Sequence, residues 1–205
     1  CAQIKKHFGA TALPVVLPIG AEDKFEGLVD LIYNNAIYYY DDKSVRDNFE
    51  LKEIPASMAE EAAEWRAKLI EEVASTDEVL MEKFFEDPDS ITSDELIAAI
   101  RKATISMTVV PMLCGSSFKN KGVQLLLDYV MAFLPSPVDI EAVIGTDPRT
   151  GEETSRKPVE SDPFCGLAFK IATDPFVGRL AFVRVYSGKM EAGSYVHNSR
   201  SSKKE

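Results

Sequence analysis

The sequence lacks any long apolar segment. No stretch of its 205 residues approaches the roughly 18 uncharged apolar residues that a membrane-spanning helix requires. The first residues, Cys1 to Lys6, contain no apolar core of the kind that a secretory signal peptide carries. With 45% hydrophobic and 27% charged residues, the composition is typical of a folded, cytoplasmic protein. Since residue 1 is not Met and the last residues are a polar run, we expect both ends to be cut from a longer protein.

Residues that commonly bind metals are scarce. The three cysteines, Cys1, Cys114 and Cys165, are far apart, odd in number and without C-x-x-C spacing, so they indicate neither a disulfide framework nor a zinc site. The two histidines, His7 and His197, lie in polar terminal segments without a cysteine or carboxylate at ligand spacing. We therefore predict no metal site and solvated histidines.

Motifs of a self-contained catalytic site are also absent. The sequence contains no G-x-x-x-x-G-K-[ST] phosphate loop, no G-x-S-x-G nucleophile turn and no H-E-x-x-H helix. The glutamates between residues 60 and 72 have the spacing of paired acid–base carboxylates, but glutamates opposite an apolar helical stripe are usually a solvated face. No catalytic residue is predicted.

The negative charge is concentrated in one region. The net charge is −10, but residues 41–100 hold 18 acidic and 6 basic residues, a net −12, while the remainder carries +2. Such a surface repels phosphate backbones and attracts basic groups. This region is therefore predicted to bind a basic protein partner, not nucleic acid.

The first 40 residues predict a helix end followed by strands. Ile4 to Phe8, closed by Gly9, is typical of the last turns of a helix, and Ala12 to Leu17 of a short apolar strand. Two β-rich runs separated by Asn34-Asn35 then predict a β-hairpin with a two-residue turn. These runs are Gly27 to Tyr33 and Ala36 to Tyr40.

Helical periodicity begins after Pro55. Five residues spaced three or four apart form one apolar stripe, which predicts an amphipathic helix. They are Met58, Ala62, Trp65, Leu69 and Val73. Capping-box spacings at Ser75 with Glu78 and at Thr92 with Glu95 predict two further helices.

The second half of the chain predicts a β-loop-α unit, a linker and a β-rich end. Thr108 to Cys114 is an apolar strand, Gly115 to Gly122 a polar turn, and Val123 to Leu134 a helix. A loop that leaves the C-terminal end of a strand in an α/β sheet is a common ligand site, although most polar turns only connect elements. Periodicity disappears over residues 139–162, which predicts a linker. Three β-rich runs follow, at Phe164 to Ala172, Arg179 to Ser187 and Ser194 to His197.

Three ordered stretches resemble the elongation factor G family of bacteria. One resembles the last guanine-nucleotide box and the following helix of that family, a second the opening of its second domain, and a third the start of its inserted subdomain. In this order they are VPMLCGSSFKNKGVQ (110–124) with LPSPVD (134–139), FKIATDPFVGRL (169–180) with RVYSG (184–188), and LPIGAE (17–22) with GLVDL (27–31).

The resemblance implies a fold. The expected class is α/β: the end of a P-loop-type GTPase domain with an inserted α+β subdomain, followed by part of an antiparallel β-barrel. The implied domains are 1–138, the C-terminal part of the GTPase domain with the inserted subdomain at about 18–107, then the linker 139–162, then 163–205, the start of the translation-factor β-barrel domain II.

The resemblance also implies a nucleotide contact. By position, Ser116 is the serine of the guanine box, Ser117 supplies the backbone N–H that meets the base oxygen, and Phe118 is the flanking hydrophobic residue. The family pattern has alanine at position 117, but a backbone contact tolerates a small side chain. Cys114 and Gly115 are then structural.

The family's other nucleotide motifs are not in this sequence. Its phosphate loop, both switches and its N-K-x-D box all precede the matched region. The resemblance therefore implies GTP or GDP with Mg²⁺ in the full-length parent, and no tight nucleotide binding or hydrolysis by these residues alone.

The resemblance further implies ribosomal partners. The helix with the apolar stripe is expected to meet the ribosomal stalk protein, and the β-barrel domain the small subunit. Glu60, Glu64 and Glu71 fall on one helical face opposite the stripe. Beside them is a strip of small residues: Ala63, Ala67 and Ala74.

The implied activity is GTP-driven movement of tRNA and mRNA on the ribosome. The alternatives are another translational GTPase, such as a ribosomal-protection protein or a release-factor GTPase, and a stand-alone acidic protein-binding module. A phosphate loop upstream of Cys1 in the reading frame distinguishes the GTPases from the module.

Overall fold

A computed structural model of the chain describes residues 2–9, 11–40, 49–139, 142–147 and 150–205. Cys1, Ala10, residues 41–48 of the acidic region, and residues 140, 141, 148 and 149 of the predicted linker lie outside the described residues. The chain divides into two compact units, Cys1–Leu134 and Pro135–Glu205. In the described ranges, no helix combines the length and the apolar character that crossing a bilayer requires.

The first unit alternates short strands with helices. In chain order its elements are α1 (Ala2–Phe8), β1 (Thr11–Pro14), β2 (Val16–Ile19), β3 (Gly27–Asp30), β4 (Asn35–Tyr39), β5 (Phe49–Lys52), α2 (Ala59–Ala74), α3 (Glu78–Glu86), α4 (Ser93–Ile105), β6 (Val109–Met112) and α5 (Val123–Phe133).

Two sheets meet at Val15. Strand β1 pairs in parallel with β6, and strands β2, β3, β4 and β5 form an antiparallel sheet in that order. The backbone N–H of Val15 donates to Met112 O at 3.0 Å, while its carbonyl accepts from Leu31 N at 3.0 Å. The prediction of one strand over Ala12 to Leu17 is therefore wrong, because the chain changes sheets at Val15. Along the chain, the antiparallel sheet and helices α2 to α4 lie between β1 and β6. They therefore form an insertion between two strands that pair with each other.

The predicted hairpin is confirmed, but its turn differs. Asp30 pairs with Asn35, so the loop has four residues and not two. Only Asn34 of the two asparagines has a positive φ, 56°. The Asp30 carboxylate accepts from the backbone N–H groups of Ile32 at 2.9 Å and Tyr33 at 3.1 Å. This side-chain acceptor organises a longer turn than an Asn-Asn pair alone would form.

The helical stripe on α2 is confirmed in its spacing and is wider than predicted. Leu69 and Val73 are buried, and so is Ile70, which lies outside the predicted stripe. Trp65 and Met58 are only partly buried against the core. The prediction that Trp65 is a core residue is therefore wrong, because its indole lies at the edge of the packed face of α2.

One of the two predicted capping boxes is present. Thr92 Oγ1 accepts from Glu95 N, and the Glu95 carboxylate accepts from Thr92 N at 3.0 Å. The predicted Ser75–Glu78 box is wrong. Ser75 is the C-cap of α2, and the Asp77 side chain caps α3 by accepting from the backbone N–H groups of Val79 and Leu80. Asp is at least as good an N-cap as Ser, and Asp77 stands two positions closer to the helix than Ser75.

Helix α5 packs against α4 and contacts Asp30 of β3. Tyr129 and Phe133 are buried and stack with ring centroids 4.9 Å apart. At the end of α5, Arg101 from α4 donates to the carbonyls of Ala132 and Leu134, both at 2.9 Å. A cation at these carbonyls complements the negative end of the helix.

The second unit is built of strand pairs. In chain order they are β7 (Val143–Thr146) with β8 (Glu153–Arg156), β9 (Cys165–Asp174) with β10 (Gly178–Ser187), and β11 (His197–Asn198) with β12 (Lys203–Lys204), all antiparallel. The β7–β8 hairpin lies inside the predicted linker, which is therefore not structureless. Both strands are short and largely exposed, β8 is polar and β7 has only two large apolar residues, so hydrophobic periodicity gave no signal for them.

Candidate functional site

The loop between β6 and α5, residues 113–122, is closed by its own backbone. Ser116 N donates to Lys121 O at 2.8 Å, and Lys121 N donates to Ser116 O at 3.0 Å. Inside this pair, Asn120 N donates to Ser117 O at 3.2 Å, and Asn120 has a φ of 53°. The result is a tight turn that presents residues 117–120 to solvent at the C-terminal end of a parallel strand.

Two glycines allow the turn to close. A Cβ atom on Gly115 would lie 2.8 Å from Lys121 O, closer than side chains tolerate. Gly122 precedes α5 with a φ of 85°, a left-handed conformation that glycine adopts most readily. Both positions therefore require glycine for backbone reasons.

A pocket of about 180 Å³ lies against this loop. Ser116 and Ser117 line it together with Val123 and Leu126 from α5. Among the residues that the structure describes, no acceptor hydrogen-bonds the backbone N–H of Ser117. Phe118 is 100% exposed and does not line the pocket. The loop thus brings two of the three predicted residues together and leaves the third in solvent.

Two lysines tie the loop to the segment between β2 and β3. Lys121 is buried, and its Nζ donates to Phe25 O at 3.4 Å. Lys119 Nζ donates to Asp23 O at 3.5 Å. Sequence reasoning missed both contacts, because two lysines in a polar turn are usually solvated and nothing local marks their partners nearly a hundred residues away.

Cys114 sits at the end of β6 with part of its side chain exposed. Desolvation by the surrounding chain raises the pKa of its thiol, which favours the neutral, unreactive form. This fits the structural role predicted for it.

The second predicted site is the outer face of α2. All three glutamates of the row, Glu60, Glu64 and Glu71, are exposed, and so are Ala63 and Ala67. Ala74 is only 1% exposed. The prediction that it belongs to the exposed alanine strip is therefore wrong, because the last turn of α2 packs in the core.

Lys68 alters the charge of this face. Its Nζ lies 2.5 Å from Glu64 Oε1 and 4.9 Å from the centre of the Trp65 ring. Glu64 is therefore paired within its own helix, while no ion pair of Glu60 or Glu71 is found in the described part of the chain. The sequence carried this signal, since Glu64 and Lys68 stand at i, i+4 spacing.

Comparison with known proteins finds relatives that match the whole chain. Residues 163–205 match the family Elongation factor G domain 2. Over its whole length, the chain is 59% identical to Elongation factor G of Cytophaga hutchinsonii and 54% identical to that of Amoebophilus asiaticus. The chain belongs to the elongation factor G family.

The chain spans 29% of the length of each of these two elongation factor G relatives. A crystal structure of a protein from Thermus thermophilus matches 97% of this chain and 26% of its own, with a TM-score of 0.70 and 26% identity. The family resemblance and the α/β fold class predicted from the sequence are thereby confirmed. The domain limits, the guanine-box residues and the stalk-binding face of this elongation factor G segment stay predictions.

Proposed function

We propose that this chain is part of a ribosomal translocase that uses GTP hydrolysis to move tRNA and mRNA during protein synthesis. The proposal rests on one observation: along its entire length, the chain is 59% identical to a protein named Elongation factor G. The bound cofactors of the full-length protein are then GTP or GDP with Mg²⁺, its partner is the ribosome, and its location is the cytoplasm.

The β6–α5 loop is proposed to contact the guanine base. The backbone N–H of Ser117 meets the base oxygen, and Ser116 holds the turn by accepting from Lys119 N at 3.4 Å. The pocket at the loop and the N–H of Ser117, which has no acceptor among the described residues, support this assignment, because an unused backbone donor at the end of a parallel strand is suited to a carbonyl acceptor. Phe118, fully exposed here, flanks the loop and makes no contact within the pocket.

The outer face of α2 is proposed to bind the ribosomal stalk protein. Exposed Glu60 and Glu71 supply the charge, and Ala63 and Ala67 allow a partner helix to approach closely. Individual exposed ion pairs contribute less than about 1 kcal/mol, so the contact is weak and salt-sensitive. Domain II, beginning near residue 163, is proposed to contact the small subunit.

The test uses the full-length product of the gene that encodes this chain. In a reconstituted translation system that lacks a translocase, adding this protein with GTP should advance the ribosome by one codon, as measured by toeprinting. A non-hydrolysable GTP analogue serves as the control for turnover. Failure to advance the ribosome, with an active preparation bound to GTP, would overturn the proposal.

A further inference from the structure

A second pocket lies between the antiparallel sheet and α5. It has a volume of about 270 Å³ and shares no lining residue with the pocket at the β6–α5 loop. We call it the Asn35 pocket. The lining residues that matter below are Asp30, Tyr33, Asn35, Tyr39, Gln124 and Asp128.

Two hydrogen-bond acceptors in this pocket are unused. Asn35 Oδ1 and Gln124 Oε1 are both buried and have no hydrogen-bond partner among the described residues. Buried polar atoms are nearly always paired, and an unpaired one destabilises the fold. The two residues belong to different elements, β4 and α5, and both line the pocket. A ligand whose N–H groups reach these oxygens would give both of them a partner.

The pocket is also negatively charged. Its lining includes the carboxylates of Asp30 and Asp128 and no Lys, Arg or His among the described residues. Both oxygens of Asp30 are occupied, Oδ2 by the Tyr129 hydroxyl at 2.6 Å and Oδ1 by backbone N–H groups, whereas Asp128 is exposed. Desolvation, with a smaller effect from these two carboxylates, raises the pKa of Tyr39 to about 12. Burial raises the pKa of Asp30, so the exposed Asp128 is the carboxylate of this lining that can balance a cation.

The remaining walls are aromatic and aliphatic. Tyr33 and Tyr39 line the pocket, and aromatic faces attract ammonium and guanidinium groups. The volume is just below the range of about 300–1,000 Å³ that is usual for drug-sized ligands, so it suits a group the size of one side chain.

We propose that the Asn35 pocket binds a guanidinium or primary ammonium group. Asn35 Oδ1 and Gln124 Oε1 accept its N–H groups, and Asp128 supplies the balancing charge. The group belongs either to a free organic cation or to a basic side chain of another protein, and the probes below distinguish these sources.

The test is an NMR titration of the ¹⁵N-labelled 205-residue chain with matched small molecules. Butylguanidinium should cause saturable shifts of the backbone and side-chain amide signals of Asn35 and Gln124. Butylurea has nearly the same shape but is neutral, and it should bind about tenfold more weakly. N-acetyl-arginine amide carries the guanidinium on a peptide; binding as tight as that of butylguanidinium indicates a protein side chain as the source, and weaker binding indicates a free cation.

Two substitutions separate recognition from folding. Gln124→Leu and Asp128→Asn should each weaken butylguanidinium binding by about tenfold. Gln124→Leu should not lower the melting temperature, because it removes an unpaired buried acceptor, and Glu86→Gln on exposed α3 should leave binding unchanged. Equal binding of butylguanidinium and butylurea, unchanged binding by both pocket variants, or absence of saturable shifts at Asn35 and Gln124 would overturn the proposal.

Discussion

Single polar side chains connect the β3–β4 turn to three helices of the first unit. Arg66 from α2 and Ser93 from α4 both donate to the carbonyl of Ile32, at 2.8 and 2.9 Å. From α5, Tyr129 donates to the buried Asp30 carboxylate at 2.6 Å. Removing one partner from such a buried pair costs about 1–3 kcal/mol, so these residues specify how the sheet and helices fit together.

The partial burial of Trp65 sets the expected effect of its removal. Trp65→Ala should destabilise the first unit by about 2 kcal/mol, less than the roughly 3–5 kcal/mol typical of a fully buried tryptophan. The control is Leu69→Ala at a position that is 1% exposed, which should cost about 3 kcal/mol. Urea unfolding of both variants measures the difference. A larger loss for Trp65→Ala than for Leu69→Ala would contradict the packing of α2.

Glu95 should make the stability of this chain depend on pH. Its hydrogen bond from Lys83, followed by those from Thr92, lowers its pKa from 4.5 to about 2. A lowered pKa in the folded state means that the ionised form stabilises the fold above about pH 4.5 and that this contribution is lost as the pH falls toward 2. Glu95→Gln should therefore lower the urea midpoint at pH 7, and its difference from wild type should shrink between about pH 4.5 and 2.

The matched control for this measurement is Glu82→Gln on the neighbouring helix α3. Glu82 is exposed, so its replacement should leave the midpoint nearly unchanged at every pH. A difference between Glu95→Gln and wild type that stays constant from about pH 7 to pH 2 would show that ionisation of Glu95 does not contribute.

At the scale of elements, α2 has two faces with separate tasks. One face buries Ala62, Leu69 and Val73 in the core. The opposite face leaves its glutamates in solvent, with one of them paired to Lys68. Because no residue of the exposed row contributes to the core, its charge can be reversed without a large effect on folding.

Charge reversal on α2 tests the proposed stalk contact. Glu60→Lys, Glu64→Lys and Glu71→Lys together should weaken binding of the stalk protein's C-terminal domain by about tenfold in an NMR titration at low salt. The effect should be smaller at high salt. A variant with Glu78→Lys, Glu82→Lys and Glu86→Lys on α3 has the same net charge and should bind nearly as wild type does. Equal shift perturbations from wild type and the α2 variant would remove this face from consideration.

The β6–α5 loop is the second element whose role can be tested. In the full-length protein, Ser117→Ala should change GDP affinity by less than about twofold, because the proposed contact uses the backbone N–H. Ser116→Ala removes the acceptor for Lys119 N and should weaken GDP binding by about threefold or more. Isothermal titration calorimetry measures both. A larger loss for Ser117→Ala would assign the contact to its hydroxyl.

At the scale of the whole molecule, the chain matches less than a third of its elongation factor G relatives. The 205 residues contain no phosphate-loop motif, and protein contacts with the phosphates and Mg²⁺ dominate nucleotide binding and phosphoryl transfer in GTPases.

We therefore predict that the 205-residue chain alone neither hydrolyses GTP nor binds guanine nucleotides better than millimolar. Calorimetry with GDP and Mg²⁺ is the measurement, with the full-length protein as the positive control. A dissociation constant in the low micromolar range for the chain alone would contradict the view that the guanine-box loop needs the rest of the nucleotide site.

The sequence by itself determined the features that depend on neighbouring residues. The spacing of Leu69 and Val73 predicted the buried face of α2, and Thr92 with Glu95 predicted the start of α4, because these patterns report interactions within one or two helical turns. Long ordered stretches also identified the family and predicted the position of the guanine-box loop.

Only the tertiary structure decided which distant residues contact each other. Val15 joins two sheets, Lys121 is buried against Phe25 O, and Tyr129 pairs with Asp30 across 99 positions of the chain. The partial exposure of Trp65 and the unused oxygens of the Asn35 pocket have the same origin. Each depends on which distant segments pack together, and local spacing carries no information about partners brought close only by the fold.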